Sequence, residues 1–232
     1  MVAPCSLQTE TCIILFVKDP QPGQVKTRLG RSIGNEQAAE LYTCFAQDVL
    51  TTIQKLPATP LIFFAPPDAQ PQIEQWLRGQ QYYPQQGNAL GGRMSHAFSQ
   101  CFTQGYKRAL IVGSDSPDLP LGYLEEALQQ LAAEQVVIGP SEDGGYYALG
   151  FTFANYCPDV FDGIAWSTEE VRSQTLNILA AHQRSVHLLP TWYDVDTLNE
   201  LQRFYQHNQR KTSLSMAYLN QHHHDIFDRC CP

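Results

Sequence analysis

The stretch "LIVGSDSPDLP" (residues 110–120) joins an apolar run to a cluster of hydroxyl and carboxylate side chains. Residues 109–112 are apolar without interruption, which is typical of a strand buried on both faces, as in a parallel sheet. A glycine and a proline follow, and they predict that the chain turns as it leaves the sheet. Asp115 therefore stands at the carboxyl end of a buried strand, where its charge requires a cationic partner.

Apolar runs and amphipathic segments alternate along the rest of the chain. Further strands are predicted at residues 11–17, 61–65, 135–139, 146–151 and 185–189. Helices with one apolar face are predicted within 38–53, 73–77, 94–105, 124–131 and 171–182, and after 197. This alternation predicts an α/β/α sandwich with a mostly parallel central sheet. Ligands of such sheets bind beyond the carboxyl ends of the strands.

The connecting segments have less regular patterns. Residues 18–34 are predicted to form a polar loop. The sequences at 167–170 and 197–200 have the pattern of capping boxes, and each is predicted to open a helix. No composition break divides the chain, so we predict one domain over residues 11–206 and a partly flexible C-terminal extension over 207–232. Its polar tail, "NQHHHDIFDRCCP", is expected to be loosely ordered.

Composition narrows the class of partner. The 232 residues include 15 Lys and Arg against 23 Asp and Glu, a net charge of −8. This balance argues against a nucleic-acid partner, because such binding depends on basic surface. Seven scattered cysteines without a Cys-x-x-Cys pair predict a reduced, cytoplasmic protein rather than a disulfide framework. No signal peptide and no membrane span are expected.

Two cationic side chains lie close together in the loop "KDPQPGQVKTRLG" (residues 18–30). Gly23 follows a proline and predicts a tight turn, from which Lys26 and Arg28 project. Arginine grips phosphate with two parallel hydrogen bonds and lysine acts as a point charge, so the pair suits a di- or triphosphate. The alternative interpretation is a solvated basic loop without a ligand.

Two glycine-rich stretches follow predicted strands. "GNALGGRM" (87–94) places Arg93 at the start of a helix, where anions are attracted, although a flexible helix-entry loop explains it as well. "SEDGGYY" (141–147) places two glycines and two tyrosines after Asp143, which suits the floor of a sugar site. A simple hairpin turn is the alternative, because Asp-Gly is a strong turn signal.

Paired acids occur again late in the chain. Asp194 and Asp196 alternate in "WYDVDT" (192–197), so both face one side of an extended segment. Two like charges on one face repel each other unless a cation or a helix N-terminus offsets them. Asp115, the first carboxylate after the strand at 109–112, is placed to bind Mg²⁺, which takes one or two carboxylates together with substrate phosphate oxygens. Asp118 has the alternative role of capping the next turn.

Six motifs, in order, resemble those of one family. They are P-x-P-G-x-V-K-T-R-L, L-G-x-R-M, G-S-D-S-P-D-L-P, D-G-G-Y-Y, W-S-T and D-V-D-T, at residues 20–29, 90–94, 113–120, 143–147, 166–168 and 194–197. Over residues 13–205 the chain resembles the DUF2064 family, also known as selenium-domain-associated transferase 1, in the nucleotide-diphospho-sugar transferase superfamily. Gly92 departs from the second motif, where an acidic residue is expected. The Lys-Thr-Arg-Leu loop also resembles that of 2-phospholactate guanylyltransferases.

The resemblance implies a GT-A fold and a role for each motif. Asp115 and Asp196 would hold Mg²⁺ or Mn²⁺, and Asp143 and Asp194 would be catalytic. The residues implied in binding nucleotide phosphates are Gly23, Lys26, Thr27, Arg28, Arg93 and Ser114. The residues implied in the donor or acceptor pocket are Gly144, Gly145, Tyr146, Trp166 and Ser167.

Three functions remain open at this point. The family resemblance favours glycosyl transfer from a nucleoside-diphosphate-sugar to a small acceptor. The basic loop favours nucleotidyl transfer, because a triphosphate needs more cationic neutralisation. A non-catalytic nucleotide-binding module is the third alternative. In each case the expected partner is a nucleotide or nucleotide-sugar, and a homodimer is the assembly considered.

Overall fold

The computed structural model describes residues 10–228, in which seven strands form a single sheet. The strands are β1 (Thr11–Lys18), β2 (Thr59–Ala65), β3 (Gln81–Pro84), β4 (Arg108–Val112), β5 (Val136–Pro140), β6 (Tyr146–Thr152) and β7 (Val186–Leu188). Their order across the sheet is β3-β2-β1-β4-β6-β5-β7. Only β6 runs antiparallel to its neighbours among these described strands. The predicted mostly parallel α/β fold is confirmed.

The same part of the chain forms eight α-helices. They are α1 (Thr27–Ile33), α2 (Asn35–Ile53), α3 (Gln70–Trp76), α4 (Leu90–Thr103), α5 (Leu121–Ala132), α6 (Val171–Ala181), α7 (Leu198–Asn208) and α8 (Leu214–Gln221). Of the described helices, none combines the length and the apolar character that crossing a membrane requires.

Alternate side chains of β1 enter two separate cores. Ile13, Leu15 and Val17 pack against α2, α3 and α5 on one face of the sheet. Cys12 and Ile14 pack against α4 and α6 on the other face. Because successive side chains of a strand point to opposite faces, the unbroken apolar sequence of β1 places it between two helical layers.

The topology determines which segments meet at the carboxyl edge of the parallel strands. The segments after β1 and β4 lie next to each other at its centre, and the segment after β3 lies to one side. Because β6 is antiparallel, its first residue, Tyr146, returns to the same edge on the other side. The pairing of Val112 with Ala148 fixes this return. Three groups of loops therefore lie in a row along this edge, on strands about 5 Å apart. They are the segment after β3, the segments after β1 and β4, and the segment before β6.

The basic segment is more ordered than expected. The prediction of a polar loop over residues 18–34 is wrong for α1, which occupies Thr27–Ile33. Leu29 and Ile33 bury their side chains in a third apolar cluster, formed with α2, α7 and α8. Two apolar residues give too short a pattern for sequence periodicity to reveal a helix of seven residues.

The two predicted capping boxes have different outcomes. Thr197 and Glu200 form the expected box at the start of α7. The box predicted at 167–170 is wrong, because α6 begins at Val171 without a side-chain cap. Ser167 has a φ of 66°, a left-handed conformation that does not suit an N-cap. Strand β3, only four residues long, was not predicted from the sequence.

The C-terminal segment packs on the domain. Ser213 caps α8 by accepting a hydrogen bond from the Met216 N–H, and Ile226 is fully buried in the third cluster. The prediction of a loosely ordered tail is therefore wrong for residues 220–228. Cys230 and Cys231 lie outside the described residues, and the domain boundary after residue 206 stays a prediction.

The docking of α8 depends on the buried carboxylate of Asp48 in α2. Its oxygens accept hydrogen bonds from the backbone N–H groups of Leu214 and Ser215, each at 2.9 Å, and from the Ser215 hydroxyl. We predict that Asp48→Ala lowers the free energy of unfolding by about 2–3 kcal/mol, because these donors lose a charged acceptor. Urea unfolding monitored by circular dichroism measures this loss.

Glu125→Ala, which removes an exposed carboxylate from α5, is the control and should change stability by less than about 0.5 kcal/mol. Equal effects of the two variants would show that Asp48 does not hold the C-terminal helix.

Candidate active site

A cavity of about 710 Å³ opens at the carboxyl edge of the sheet. It is lined by residues from the three groups of loops and from the segments around 166 and 195. The sequence-predicted residues that line it are Lys26, Thr27, Arg28, Arg93, Ser114, Asp115, Asp143, Gly145, Tyr146, Trp166, Ser167, Asp194 and Asp196. Two predicted residues, Gly23 and Gly144, do not line it.

The side chain of Lys26 lies between two carboxylates at the centre of this edge. Its Nζ is 2.5 Å from Asp115 Oδ1 and 2.9 Å from Asp196 Oδ1, and the side chain is only 2% exposed. Burial alone lowers the pKa of Lys26, but the charges of Asp115 and Asp196 outweigh it and raise the pKa above its usual value. Lys26 is therefore a buried ammonium held by acids from two distant segments.

The backbone of Lys26 has an unusual conformation that aims this side chain. Its φ is 46°, in the left-handed region that residues other than glycine seldom adopt. Lys26 immediately precedes α1, so the left-handed residue marks the point where the loop becomes a helix. We attribute the tolerated strain to the two ion pairs that hold the side chain.

Asp196 joins the basic segment to the start of α7. Arg28 forms an ion pair with its Oδ2, while Lys26 contacts its Oδ1. Burial alone raises the pKa of Asp196, but the charges of and hydrogen bonds from Lys26 and Arg28 hold it below its usual value. The carboxylate of Glu200 accepts hydrogen bonds from the backbone N–H groups of Asp196 and Thr197 at 2.9 and 2.6 Å. The N-terminus of α7 thus fixes the backbone that carries Asp196.

Asp115 and Ser114 follow β4 and tie it to its neighbours. The Asp115 carbonyl accepts a hydrogen bond from the Val195 N–H at 2.8 Å, so the late segment runs beside the β4 loop. The Ser114 hydroxyl is 3.1 Å from the hydroxyl of Tyr42, which itself accepts a hydrogen bond from the Lys18 N–H. These contacts hold Ser114 and Asp115 in place, while the Asp115 side chain keeps 43% of its surface exposed.

Asp194 is held apart from the cations. Its two oxygens accept hydrogen bonds from the hydroxyls of Ser116 at 2.7 Å and Ser141 at 3.0 Å. Burial, with the nearby charge of Asp115, raises the pKa of Asp194 to about 6, although the two serines and Lys26 act in the opposite direction. Both oxygens of Asp194 therefore hold the loops that carry Ser116 and Ser141.

Asp118 anchors the segment that carries Asp194 and Asp196. Its carboxylate accepts hydrogen bonds from Trp192 Nε1 at 3.2 Å, the Tyr193 hydroxyl at 2.7 Å and Asn208 Nδ2 at 2.8 Å. Asp118 does more than cap the next turn, the role considered from the sequence. Its three partners lie more than 70 positions away along the chain.

The far side of the cavity has an aromatic wall. Tyr146 and Trp166 lie edge to face, with ring centroids 6.5 Å apart. Gly91 lets Trp166 approach α4, since a Cβ there would lie 2.6 Å from the Trp166 ring. Asp143 stands beside this wall, exposed, and its Oδ1 accepts a hydrogen bond from the Gly145 N–H at 3.0 Å.

Asp143 forms the predicted turn and also lines the cavity, and its place in a sugar site stays a prediction. Gly144 lies in the same turn, and its carbonyl accepts a hydrogen bond from the Arg172 N–H in α6 at 3.0 Å. Its φ is 89°, and a Cβ there would lie 2.3 Å from the carbonyl oxygen of Glu169. This close packing explains the glycine without any contact to a ligand.

Sequence reasoning missed several residues at the cavity. Tyr42 was assigned to the apolar face of its helix, although its hydroxyl bonds to Ser114. Gln85, which lines the cavity, gave no signal because a lone glutamine after a short strand fits no motif. Ser116 and Ser141 were in quoted stretches, but only the fold places both against Asp194.

The described residues contain no group of three or more His, Cys, Asp or Glu side chains placed to hold a metal ion. Asp115 and Asp196 nevertheless converge, because an oxygen of each touches the same Lys26 nitrogen. Two carboxylates are the protein share of a Mg²⁺ site that takes its other ligands from water and substrate phosphate.

Comparison with known proteins relates this fold and site to a family. The model of DUF2064, described as an uncharacterized protein conserved in bacteria, matches residues 49–168. A crystal structure from Desulfovibrio desulfuricans G20, provisionally named a nucleotide-diphospho-sugar transferase, is 40% identical, with a TM-score of 0.91 over 95% of this chain and 98% of that one. No curated protein matches the chain.

More distant solved structures share the fold alone. A 4-diphosphocytidyl-2C-methyl-D-erythritol synthase from Anaerococcus prevotii DSM 20548 is 9% identical, with a TM-score of 0.58 over 87% of this chain and 97% of that one. A CMP:2-keto-3-deoxy-manno-octonic acid synthetase complexed with CTP is 12% identical, with a TM-score of 0.52 over 84% and 96%.

The fold and the site define a transferase of the nucleotide-diphospho-sugar transferase superfamily. Within that class, the chain belongs to the DUF2064 family, as its six sequence motifs had indicated.

The anchoring by Asp118 can be tested on the isolated protein. We predict that Asp118→Ala speeds hydrogen–deuterium exchange across residues 192–197 at least tenfold, because the segment loses two of its side-chain bonds. The Val195 N–H, bonded to the Asp115 carbonyl, is the amide to follow. Exchange mass spectrometry of native protein measures this rate.

Asp143→Ala is the matched control, since Asp143 bonds only within its own turn among the described residues, and it should leave exchange at 192–197 unchanged. Unchanged exchange in Asp118→Ala would contradict the anchoring role.

Proposed function

We propose that the protein transfers a glycosyl group from a nucleoside-diphosphate-sugar to a small acceptor, with the help of Mg²⁺ or Mn²⁺. The observation that carries this proposal is the cavity that unites cations, paired carboxylates and an aromatic wall at the carboxyl edge of the sheet. In open α/β sheets this edge is where ligands bind. The family membership supports the same class of reaction.

The diphosphate is assigned to the centre of the cavity. Lys26 and Arg28 line it there, and Arg93 lines it from the first turn of α4. Arg28 keeps 63% of its side chain exposed, so it can turn from Asp196 to a phosphate oxygen. Cationic donors at this place stabilise the negative charge that grows on a departing diphosphate.

Asp115 and Asp196 fit a divalent cation shared with the phosphates. Their oxygens already face one positive centre, the ammonium of Lys26, so the donor chemistry suits a hard cation. Phosphate oxygens drawing Lys26 toward them would leave both carboxylates for the metal. When bound, the metal would neutralise charge on the leaving diphosphate.

Asp143 is the residue we assign to the acceptor. It is exposed, lines the same cavity as Tyr146 and Trp166, and has a second oxygen outside the turn hydrogen bond. In the proposed reaction an acceptor oxygen bonds to the anomeric carbon while the bond from that carbon to the diphosphate oxygen breaks. Asp143 takes the acceptor's proton. Asp194, whose oxygens both bond to serines, is assigned to holding the loops.

Nucleotidyl transfer from a nucleoside triphosphate is the second candidate. It is favoured by the number of cations at the cavity, where Lys18 joins Lys26, Arg28 and Arg93. The folds of a cytidylyl-transferring enzyme and of a synthetase bound to CTP add support. The two reactions differ in their leaving groups, which are a nucleoside diphosphate and pyrophosphate.

We retain a cytoplasmic location as part of the proposal. The four described cysteines, Cys12, Cys44, Cys101 and Cys157, are free thiols, which suits a reducing compartment. A homodimer likewise remains a proposal.

Ligand binding and leaving groups distinguish the candidates. We predict that a nucleoside-diphosphate-sugar near 100 times its Kd, with Mg²⁺, raises the unfolding midpoint by about 5–10 °C, since such binding adds about 2.7 kcal/mol of stability. Differential scanning fluorimetry measures the shift. With a filtered extract of small metabolites as acceptor source, chromatography should detect the released nucleoside diphosphate.

Released pyrophosphate, with a thermal shift for triphosphates alone, would favour nucleotidyl transfer. Absence of a shift with any nucleotide would contradict both candidates.

The metal assignment predicts a specific loss. Asp115→Asn keeps the shape of the side chain but removes its charge, so we expect Mg²⁺ to stop enhancing nucleotide affinity, where in the unaltered protein it does so at least tenfold. Calorimetric titration of nucleotide with and without Mg²⁺ measures the ratio. Asp143→Asn removes the same charge elsewhere in the cavity and should keep the enhancement. An intact enhancement in Asp115→Asn would exclude Asp115 as a ligand.

A further inference from the structure

Gln85 presents a fixed polar group to the cavity. It follows β3 directly, its backbone N–H bonds to the Phe64 carbonyl at 2.8 Å, and it is 8% exposed. Its side-chain Nε2 donates to the Val17 carbonyl at 3.1 Å and the Phe63 carbonyl at 2.9 Å. Both hydrogens of the amide are therefore committed to the ends of β1 and β2.

This commitment leaves only one atom of Gln85 for a ligand. The amide cannot flip without placing its oxygen against two carbonyl oxygens, so Oε1 is an acceptor of fixed orientation. Among residues 10–228, no hydrogen bond to this oxygen is found, while Gln85 lines the cavity. Oε1 is not among the fully enclosed side-chain atoms without a partner, so a ligand in the cavity can reach it. An accessible acceptor of fixed orientation suits an N–H or O–H donor from whatever fills the space beside it.

Apolar side chains line the same cavity as this acceptor. Phe16, Leu90 and Met94 line the same cavity, and Leu90 is 46% exposed although it is a large apolar residue. The Phe16 ring stacks on that of Phe63, with centroids 6.0 Å apart, so its position is fixed by the core. An apolar surface beside a fixed acceptor suits a flat heterocycle that buries its face and offers a donor along its edge.

The order of loops along the sheet edge places this region on one side of the ion pairs. Gln85 bonds to the ends of β1 and β2, Lys26 and Asp115 lie in the centre, and Tyr146 starts β6 on the other side. A ligand whose phosphates occupy the centre has one organic group on each side. The acidic side at Asp143 suits an acceptor hydroxyl. The carboxylates among the described cavity-lining residues are those of Asp115, Asp143, Asp194 and Asp196, and none of them adjoins Gln85 along the chain.

We propose that Gln85 is a base-recognition residue: its amide oxygen accepts a hydrogen bond from an N–H group on the edge of the nucleobase. The inference rests on the proposed function, because it requires a nucleotide with its phosphates at Lys26. It extends that function by assigning Gln85 Oε1 as the group that contacts the base. The base must then offer an amino or imino N–H donor. A base without that donor leaves the oxygen of Gln85 unpaired.

The test compares matched nucleotides. The nucleoside diphosphate that binds best among those of adenine, guanine, cytosine and uracil is titrated by calorimetry beside its analogue without the donor. The pairs are adenosine with purine riboside, guanosine with both inosine and 1-methylguanosine, cytidine with its 4-deamino analogue, and uridine with 3-methyluridine, all as diphosphates with Mg²⁺. Inosine lacks the amino donor of guanosine and 1-methylguanosine lacks its imino donor, so for guanosine the analogue that binds more weakly is the one compared. For the unaltered protein we expect the analogue to bind at least tenfold more weakly.

Gln85→Leu should bind parent and analogue within about twofold of each other, because the acceptor is gone. Gln86→Leu, the same change at the exposed neighbour, should keep the tenfold preference. If Gln85→Leu does not fold, the unaltered protein still decides: equal affinity for parent and analogue overturns the inference. A preference that survives in folded Gln85→Leu also overturns it.

Binding of inorganic pyrophosphate distinguishes failure of the base-recognition inference from failure of the proposed function. It should bind the unaltered protein and Gln85→Leu equally, since it contacts only the central cations. Pyrophosphate binding without any base preference would leave the phosphate site standing and reject the role of Gln85. If no nucleotide binds, both proposals fail.

Discussion

One buried ammonium group joins three distant segments of this protein. Lys26 from the loop after β1 contacts Asp115 after β4 and Asp196 before α7, and 170 positions separate the first residue from the last. A buried charge is costly unless it is paired, and two carboxylates forced together repel each other. The ammonium of Lys26 therefore offsets the repulsion between the two carboxylates, and the carboxylates offset the cost of burying the ammonium.

The contact also bears on the chemistry proposed for the site. The sequence suggested that the cations hold phosphate and that the acids hold a metal ion, whereas the structure places cations and acids in direct contact. In the proposed reaction a nucleotide would exchange partners within the site: its phosphates would replace the carboxylates around Lys26 and Arg28, and the carboxylates would become available to a divalent cation. The proposal therefore links binding of phosphate to binding of metal through the same side chains.

Much of the fold could be predicted from the sequence, because β1 and β4 are unbroken apolar runs and α2 has a long apolar face. The positions of Lys26, Asp115 and Asp196 could be predicted as far as their sheet edge, since each follows or adjoins a recognisable element. The three hydrogen bonds of Asp118 could not, because they join positions more than 70 residues apart. Helix α1 was not predicted because it is only seven residues long. Gln85 was not predicted because its orientation depends on two carbonyls of neighbouring strands.

The central claim is that Asp115 and Asp196 share a cation with a phosphate held by Lys26. A crystal of the complex with Mn²⁺ and a nucleoside diphosphate, measured for anomalous scattering, tests it most directly. We expect one anomalous peak about 2.2 Å from an oxygen of each carboxylate, a distance typical of oxygen ligands to small divalent cations. Lys26 Nζ should then lie on a phosphate oxygen. A nucleotide bound with Lys26 still between the two carboxylates, or a peak away from them, would contradict the account.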